Sequence, residues 1–179
     1  MLTGLRLVSE AAELAARRHA GRQRKGRDEE PYINHLAEVA NILSIASNGE
    51  DAELVAAGWL HDTIEDTDTT HAELTERFGA RVADMVEEVT DDMTLPKSER
   101  RAVQVIAAPG KSDGAKQIKI ADKISNIRTR VFFEPDLEQQ LELMEYLGWA
   151  EQVVAGCRGV NAALDALFDE TVAHARGTL

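Results

Sequence analysis

Apolar residues recur at helical spacing from one end of this chain to the other. Leu7, Ala11, Leu14 and Ala15 fall three and four positions apart in the first stretch. The same spacing returns in HLAEVANILSIAS through Leu36, Val39, Ala40 and Leu43, and again in DAELVAAGWLHD, where Asp51 suits the N-cap. Thr70 and Glu73 fit a capping box, and Gly79 suits the C′ position of the helix between. Further helices are expected in ARVADMVEEVT, in PKSERRAVQVIAA with Pro96 in a first turn, and in KQIKIADKISNIRTRVFF. One or two long closing helices are expected over 136–175. QIKIA is the only stretch with the look of a strand. The fold class is therefore all-α, a bundle of about eight to ten helices given usual helix lengths.

Composition agrees. Aromatic residues make up only 4% of the 179 residues, and Ala and Leu dominate, which favours helix over strand. A chain of this length suits one domain, 1–179, with a sizeable core. The net charge of −12 argues against general binding to nucleic acid or an anionic membrane. The N-terminal stretch lacks a signal-peptide layout, and no run approaches the ~18 apolar residues of a membrane helix, so a cytoplasmic location is expected. The single Cys157 excludes an internal disulfide and reads as a small core residue. Met144, Tyr146 and Trp149 serve either core or an interface, core being preferred; an oligomer is compatible with the sequence, which does not fix one.

One segment breaks the pattern. The apolar run AELVAAGWL ends in His61-Asp62, and Glu65 and Asp66 follow within a turn. If the helix continues, these four side chains share an arc of about 140° at ~100° per residue, with Gly58 one turn earlier leaving room for a ligand. His35 opens a helix elsewhere, and Asp122 lies among Ile118 and Ile120. His35, His61, Asp62 and Asp122 together would offer two nitrogens and two oxygens, a set suited to Mn2+ or Fe2+. Zinc is less favoured without thiolates. Taken singly, each residue also has an ordinary role: a helix-end hydrogen bond for the His-Asp pair, a cap for His35, an ion pair with Lys119 or Lys123 for Asp122, and a solvated turn for Glu65 and Asp66. Spacing along the chain leaves both readings open.

Basic residues are gathered in two places. RRHAGRQRKGR holds six of the chain's twenty Lys and Arg, including Arg24 and Lys25 in a loop. Lys116, Lys119, Lys123, Arg128 and Arg130 surround Asp122. These islands either bind a phosphorylated ligand or form solvated faces paired with Asp28, Glu29 and Glu30. No phosphate loop, dinucleotide fingerprint or nucleophile elbow is present. A metal-activated water attacking phosphorus is the simplest chemistry these parts allow.

The H…HD…D series resembles the HD-superfamily metal phosphohydrolases. HAGRQRKG, PYINH, WLHDTIEDTDTT, EEVTDDMTLPKSERR and AKQIKIADKISNIRT, across about residues 5–130, narrow the likeness to the hydrolase half of RelA/SpoT-type proteins and to the stand-alone small alarmone hydrolases. At 179 residues the length leaves no room for the other domains of the long enzymes.

That resemblance implies Mn2+-dependent hydrolysis of the 3′-pyrophosphate of (p)ppGpp to GDP or GTP and pyrophosphate, other divalent ions being alternatives. It implies His35, His61, Asp62 and Asp122 as metal ligands. Glu65 and Asp66 match the acids that handle the attacking water. Arg24 and Lys25 match a basic pair at the nucleotide, and Tyr32, Asn126 and Thr129 match positions near it. The implied partner is a guanine nucleotide alarmone, with no nucleic acid or membrane. Rival readings are an HD hydrolase for NADPH or a dNTP, and a non-catalytic nucleotide-binding regulator. The chain departs from the family at Leu36, where proline is usual, at Arg22, where glutamine is frequent, and in the GRDEE loop, and after Thr129 no stretch of the sequence aligns with a family motif.

Overall fold

A computed structural model describes residues 2–24, 30–131 and 136–179. Among them the chain forms ten α-helices and one short 3-10 turn, and no strand. Lys25 lies outside the described residues. The fold is all-α. It divides into two compact units, residues 1–93 and 94–179.

The first unit holds α1 (Gly4–Arg18), α2 (Ile33–Ala46), α3 (Ala52–Leu60), α4 (Thr63–Asp66), α5 (His71–Phe78) and α6 (Ala80–Val89). Helix α3 is its centre and packs against α1, α2 and α6. That is why AELVAAGWL carries no polar face: Leu54, Val55, Ala56, Ala57, Gly58 and Leu60 are all buried. Its start is set by Asp51, whose carboxylate accepts the Leu54 N–H at 3.0 Å. Asp51 also receives both Nη atoms of Arg81, at 2.7 and 2.6 Å. Helices α1 and α2 pack on α3, and Leu7, Ala11, Leu14, Leu36, Val39 and Leu43 are their buried apolar residues, with Ala15, Ala40 and Ile42.

The expected capping box at α5 is half formed. Thr70 Oγ1 accepts the Glu73 N–H at 3.2 Å. The Glu73 carboxylate instead receives Arg18 Nη2 at 2.9 Å to each oxygen. A cation from α1 outcompetes the neutral N-cap amide because charge-assisted bonds are the stronger ones. Gly79 separates α5 from α6 at φ +93°, where a side chain would be strained.

The second unit comprises α7 (Lys97–Ala107), the 3-10 turn Ala108–Gly110, α8 (Asp113–Val131), α9 (Leu137–Ala155) and α10 (Ala162–Gly177). QIKIA lies within α8, where Ile118, Lys119, Ile120 and Ala121 are all buried. The closing segment is two helices, packed against α8. They part at Gly156–Gly159, where Gly159 has φ +89° and Asn161 caps α10. The start of α9 has a complete capping box between Asp136 and Gln139. Tyr146 and Cys157 are buried, whereas Met144 is 57% exposed and contributes little to the core. No helix of the described residues is long and apolar enough to cross a membrane.

Candidate metal centre

Helix α3 stops at Leu60 instead of running on through the acidic residues. His61 Nδ1 donates to the Gly58 carbonyl at 2.9 Å, and Thr63 Oγ1 donates to the Leu60 carbonyl at 2.6 Å. Two terminal carbonyls are thus capped by side chains. Asp62 sits at the break, with φ −99° and ψ 1°, and α4 begins after it. The unbroken continuation supposed for a shared face is therefore absent. His61 and Asp62 pair with each other, and Glu65 and Asp66 take other partners.

His61 and Asp62 turn toward each other. His61 Nε2 lies 3.1 Å from Asp62 Oδ2, and His35 Nε2, from the first turn of α2, lies 3.7 Å from the same oxygen. The His35 and His61 rings meet edge to face at 5.1 Å. Both imidazoles are buried and Asp62 is largely so. Ligand atoms of these three residues lie within 4.8 Å of one another. The carbonyl bonded to His61 Nδ1 can only accept, so Nδ1 carries a proton, and in the neutral ring the Nε2 lone pair faces the cluster. Two imidazoles and a carboxylate converging in a buried place form a donor set that fits a divalent ion.

Gly58 has a different task from the one its helical position suggested. A Cβ there would lie 2.6 Å from Leu43 Cδ1 and 3.3 Å from Ala40 Cα, so the missing side chain admits α2, not a ligand. The close approach joins the helix carrying His35 to the helix ending in His61.

Tyr32 belongs to the centre's immediate surroundings. Its hydroxyl donates to Asp62 Oδ2 at 2.6 Å. Its ring stacks on His19 at 5.3 Å and carries the Arg22 guanidinium at 5.5 Å. Residues 22–24 and 30–32 are paired antiparallel through Tyr32 N–H to the Arg22 carbonyl at 2.9 Å and Arg24 N–H to the Glu30 carbonyl at 3.0 Å. This pairing fixes the base of the loop, and Arg24 is buried there.

Glu65 Oε2 accepts the Asp91 N–H at 2.9 Å, which ties α4 to the end of α6. Asp66 Oδ1 receives Arg22 Nη2 at 2.9 Å, and Arg22 Nη1 also donates to the Asp66 carbonyl. His19 follows α1, with its side chain fully buried. Burial pushes its imidazole below the usual histidine range, outweighing the Ala15 carbonyl, Asp62 and Asp66, which act the other way. Neither His19 nor Arg22 stands out as functional from residue type alone. The sequence signal that points to them is their place in HAGRQRKG, just ahead of Arg24.

Asp122 lies in the second unit, on α8, with its side chain 13% exposed. Lys123 Nζ donates to Oδ2 at 2.8 Å, and Asn126 Nδ2 donates to Oδ1. Lys123 is itself buried and lies 4.5 Å from the centre of the Trp149 ring. Asn126 thus orients a carboxylate, and Thr129 Oγ1 donates to the Ser125 carbonyl at 3.0 Å. Of this basic set Lys119 and Lys123 are buried, Lys116 is half-buried, and Arg128 and Arg130 are exposed.

These features coincide with likeness to known proteins. The family model described as HD domain matches residues 11–142. The human protein named guanosine-3′,5′-bis(diphosphate) 3′-pyrophosphohydrolase MESH1 is 47% identical over 156 residues, 87% of each chain. A guanosine-3′,5′-bis(diphosphate) 3′-pyrophosphohydrolase of Aquifex aeolicus is 36% identical over 143 residues, which span 77% of this chain and 20% of that longer one. A solved structure reported as a metazoan ortholog of SpoT that hydrolyzes ppGpp superposes with a TM-score of 0.87 at 36% identity, over 100% of both chains. The chain belongs to the HD-domain family, in the branch that includes MESH1.

Proposed function

We propose that the chain is a metal-dependent hydrolase that removes the 3′-pyrophosphate of (p)ppGpp, giving GDP or GTP and pyrophosphate, in the cytoplasm. The observation that carries the proposal is the convergence of His35 Nε2, His61 Nε2 and Asp62 Oδ2 in a buried place. The names of the relatives above supply the substrate. Asp122 is included as fourth ligand on the strength of the H…HD…D pattern. Mn2+ is the proposed ion because a mixed imidazole and carboxylate set without thiolate suits it.

A divalent ion bound there would acidify a water and offset charge on a phosphate oxygen. The chain's own residues do the rest. The His61 Nδ1 bond to the Gly58 carbonyl fixes the ring with Nε2 aimed at the centre, and in the neutral ring Nε2 is the nitrogen with the lone pair. Tyr32 orients Asp62. Glu65 or Asp66 takes the proton of the attacking water, while Arg24 and Lys25 counter the negative charge of the pyrophosphate. Water adds to the phosphorus borne by the 3′ oxygen, that P–O bond breaks, and the 3′ oxygen leaves as the hydroxyl after gaining a proton. Residues 1–179 act as one catalytic domain in this reading.

The test is an activity screen of the Mn2+-reconstituted protein with product identification. GDP and pyrophosphate in equal amounts from ppGpp are expected. Turnover of NADPH or a dNTP with ppGpp untouched would refute the substrate, and nucleotide binding without turnover in any divalent metal would refute catalysis. Asp122→Asn should lower the bound-metal stoichiometry; unchanged metal content would remove Asp122 from the ligand set.

A further inference from the structure

His19 is the one fully buried imidazole near the centre to which the reaction above gives no role. Its Nδ1 lies 3.0 Å from the Ala15 carbonyl, an atom that can only accept, so Nδ1 carries the proton. In the neutral ring, Nε2 is then a bare acceptor. No hydrogen-bond donor reaches it among the described residues. Asp66 Oδ2 lies 4.0 Å from it. Two acceptors at that separation cannot bond to each other. A charged His19 is not required by Asp66 either, since Arg22 already neutralises Oδ1 at 2.9 Å.

What satisfies two facing acceptors is a single small molecule with two donors. A water placed about 2.8 Å from each would subtend roughly a right angle, close to its own bond angle. We infer that His19 is a positioning residue of the hydrolytic site: its Nε2 and Asp66 Oδ2 grip one water between them, and this holds the Asp66 carboxylate in a single orientation. The inference rests on the proposed role of Asp66 as a water-handling acid. Arg22 fixes one oxygen of that carboxylate and His19, through the water, the other. The same ring backs Tyr32, whose hydroxyl orients Asp62. One side chain thus serves both the proton acceptor and a metal-facing carboxylate.

The variants separate packing from the lone pair. His19→Phe keeps a ring against Tyr32 and loses both nitrogens. The Ala15 carbonyl retains the His19 backbone N–H at 3.1 Å, so it is not left bare. His19→Gln carries an amide oxygen to about the place of Nε2. With Mn2+ and ppGpp, His19→Phe should lose about 10- to 100-fold in kcat, with KM changed less than about twofold, and His19→Gln should recover part of the loss. Wild-type kcat in His19→Phe, or a loss confined to KM, overturns the inference. A second readout does not depend on turnover. Nitrogen-15 NMR of the Mg2+-loaded protein at neutral pH should show an unprotonated Nε2 in His19 whose shift moves in Asp66→Asn. A protonated Nε2, or a shift indifferent to Asp66→Asn, overturns it. If the wild-type protein releases no pyrophosphate from ppGpp, the substrate reading fails by itself and the NMR result still decides His19.

Discussion

Replacing Tyr32 by Phe removes one oxygen and tests which of two roles that residue has. The sequence pattern places Tyr32 near the nucleotide; the structure gives its hydroxyl to Asp62 Oδ2 at 2.6 Å. A hydrogen bond to a charged acceptor contributes about 1.5–3 kcal/mol. The Asp62 side chain is 18% exposed, so water partly replaces the lost donor and the lower half of that range applies. A cost of about 1.5–2 kcal/mol corresponds to roughly 10- to 30-fold weaker metal binding, within the 10- to 100-fold typical of lost outer partners of metal ligands. Phe keeps the ring against His19 and under Arg22, so stability should change by less than about 1 kcal/mol. Calorimetric titration of the metal-free protein with Mn2+ measures the affinity, and steady-state kinetics at saturating Mn2+ measures KM. Unchanged Mn2+ affinity with a KM raised tenfold would refute the reasoning and return Tyr32 to the nucleotide.

Three other outcomes follow from the same geometry. Asp51→Ala removes the N-cap of α3, about 1 kcal/mol, and a partly exposed pair with Arg81 worth at most about 1 kcal/mol more; urea denaturation should show a loss of about 1–2 kcal/mol. Gly58→Val forces α2 from α3 and should cost about 2–3 kcal/mol by the same assay while weakening Mn2+ binding; unaltered stability with a higher KM would restore the ligand-clearance role. Because burial lowers the folded-state pKa of His19, the unfolded chain binds more protons below the usual histidine value of about 6.5. That contribution to stability is complete above about pH 7 and falls as the pH drops from there toward the lowered value, and His19→Phe should flatten this part of a melting-temperature profile between about pH 7 and 5.

The helices could be read from the sequence because their signals are local. Apolar spacing, the Asp51 cap and the Gly79 break each depend on residues a turn or two apart. Departures arise where a distant group intervenes. The Thr70 capping box stays half formed because Arg18, 55 positions from Glu73, takes the carboxylate. Gly58 was open to a ligand only while the position of α2 was unknown. The bonds that Asn126 and Tyr32 donate to Asp122 and Asp62 are a further detail that pattern matching does not resolve. The adjacency of His61 and Asp62 was visible at once. That His35 joins them required either the family resemblance or the packing of α2 on α3.

The termination of α3 and the chemistry of the centre are one set of bonds. In an unbroken helix His61 and Asp62 would diverge by ~100°, and His61 would have no reason to prefer one tautomer. The Gly58 carbonyl, left over at the helix end, accepts His61 Nδ1 and so fixes both the ring and its proton. Thr63 caps Leu60 in the same turn and lets Asp62 leave helical geometry. Asp62 Oδ2 can then come within 3.1 Å of His61 Nε2 and still accept from Tyr32. An apolar helix that ends abruptly in charge is costly unless each polar group finds a partner. Here the unsatisfied carbonyls of the helix end supply two of those partners. Those two partners exist only at the break; a turn earlier, His61 and Thr63 would lie among Leu54, Ala56 and Ala57.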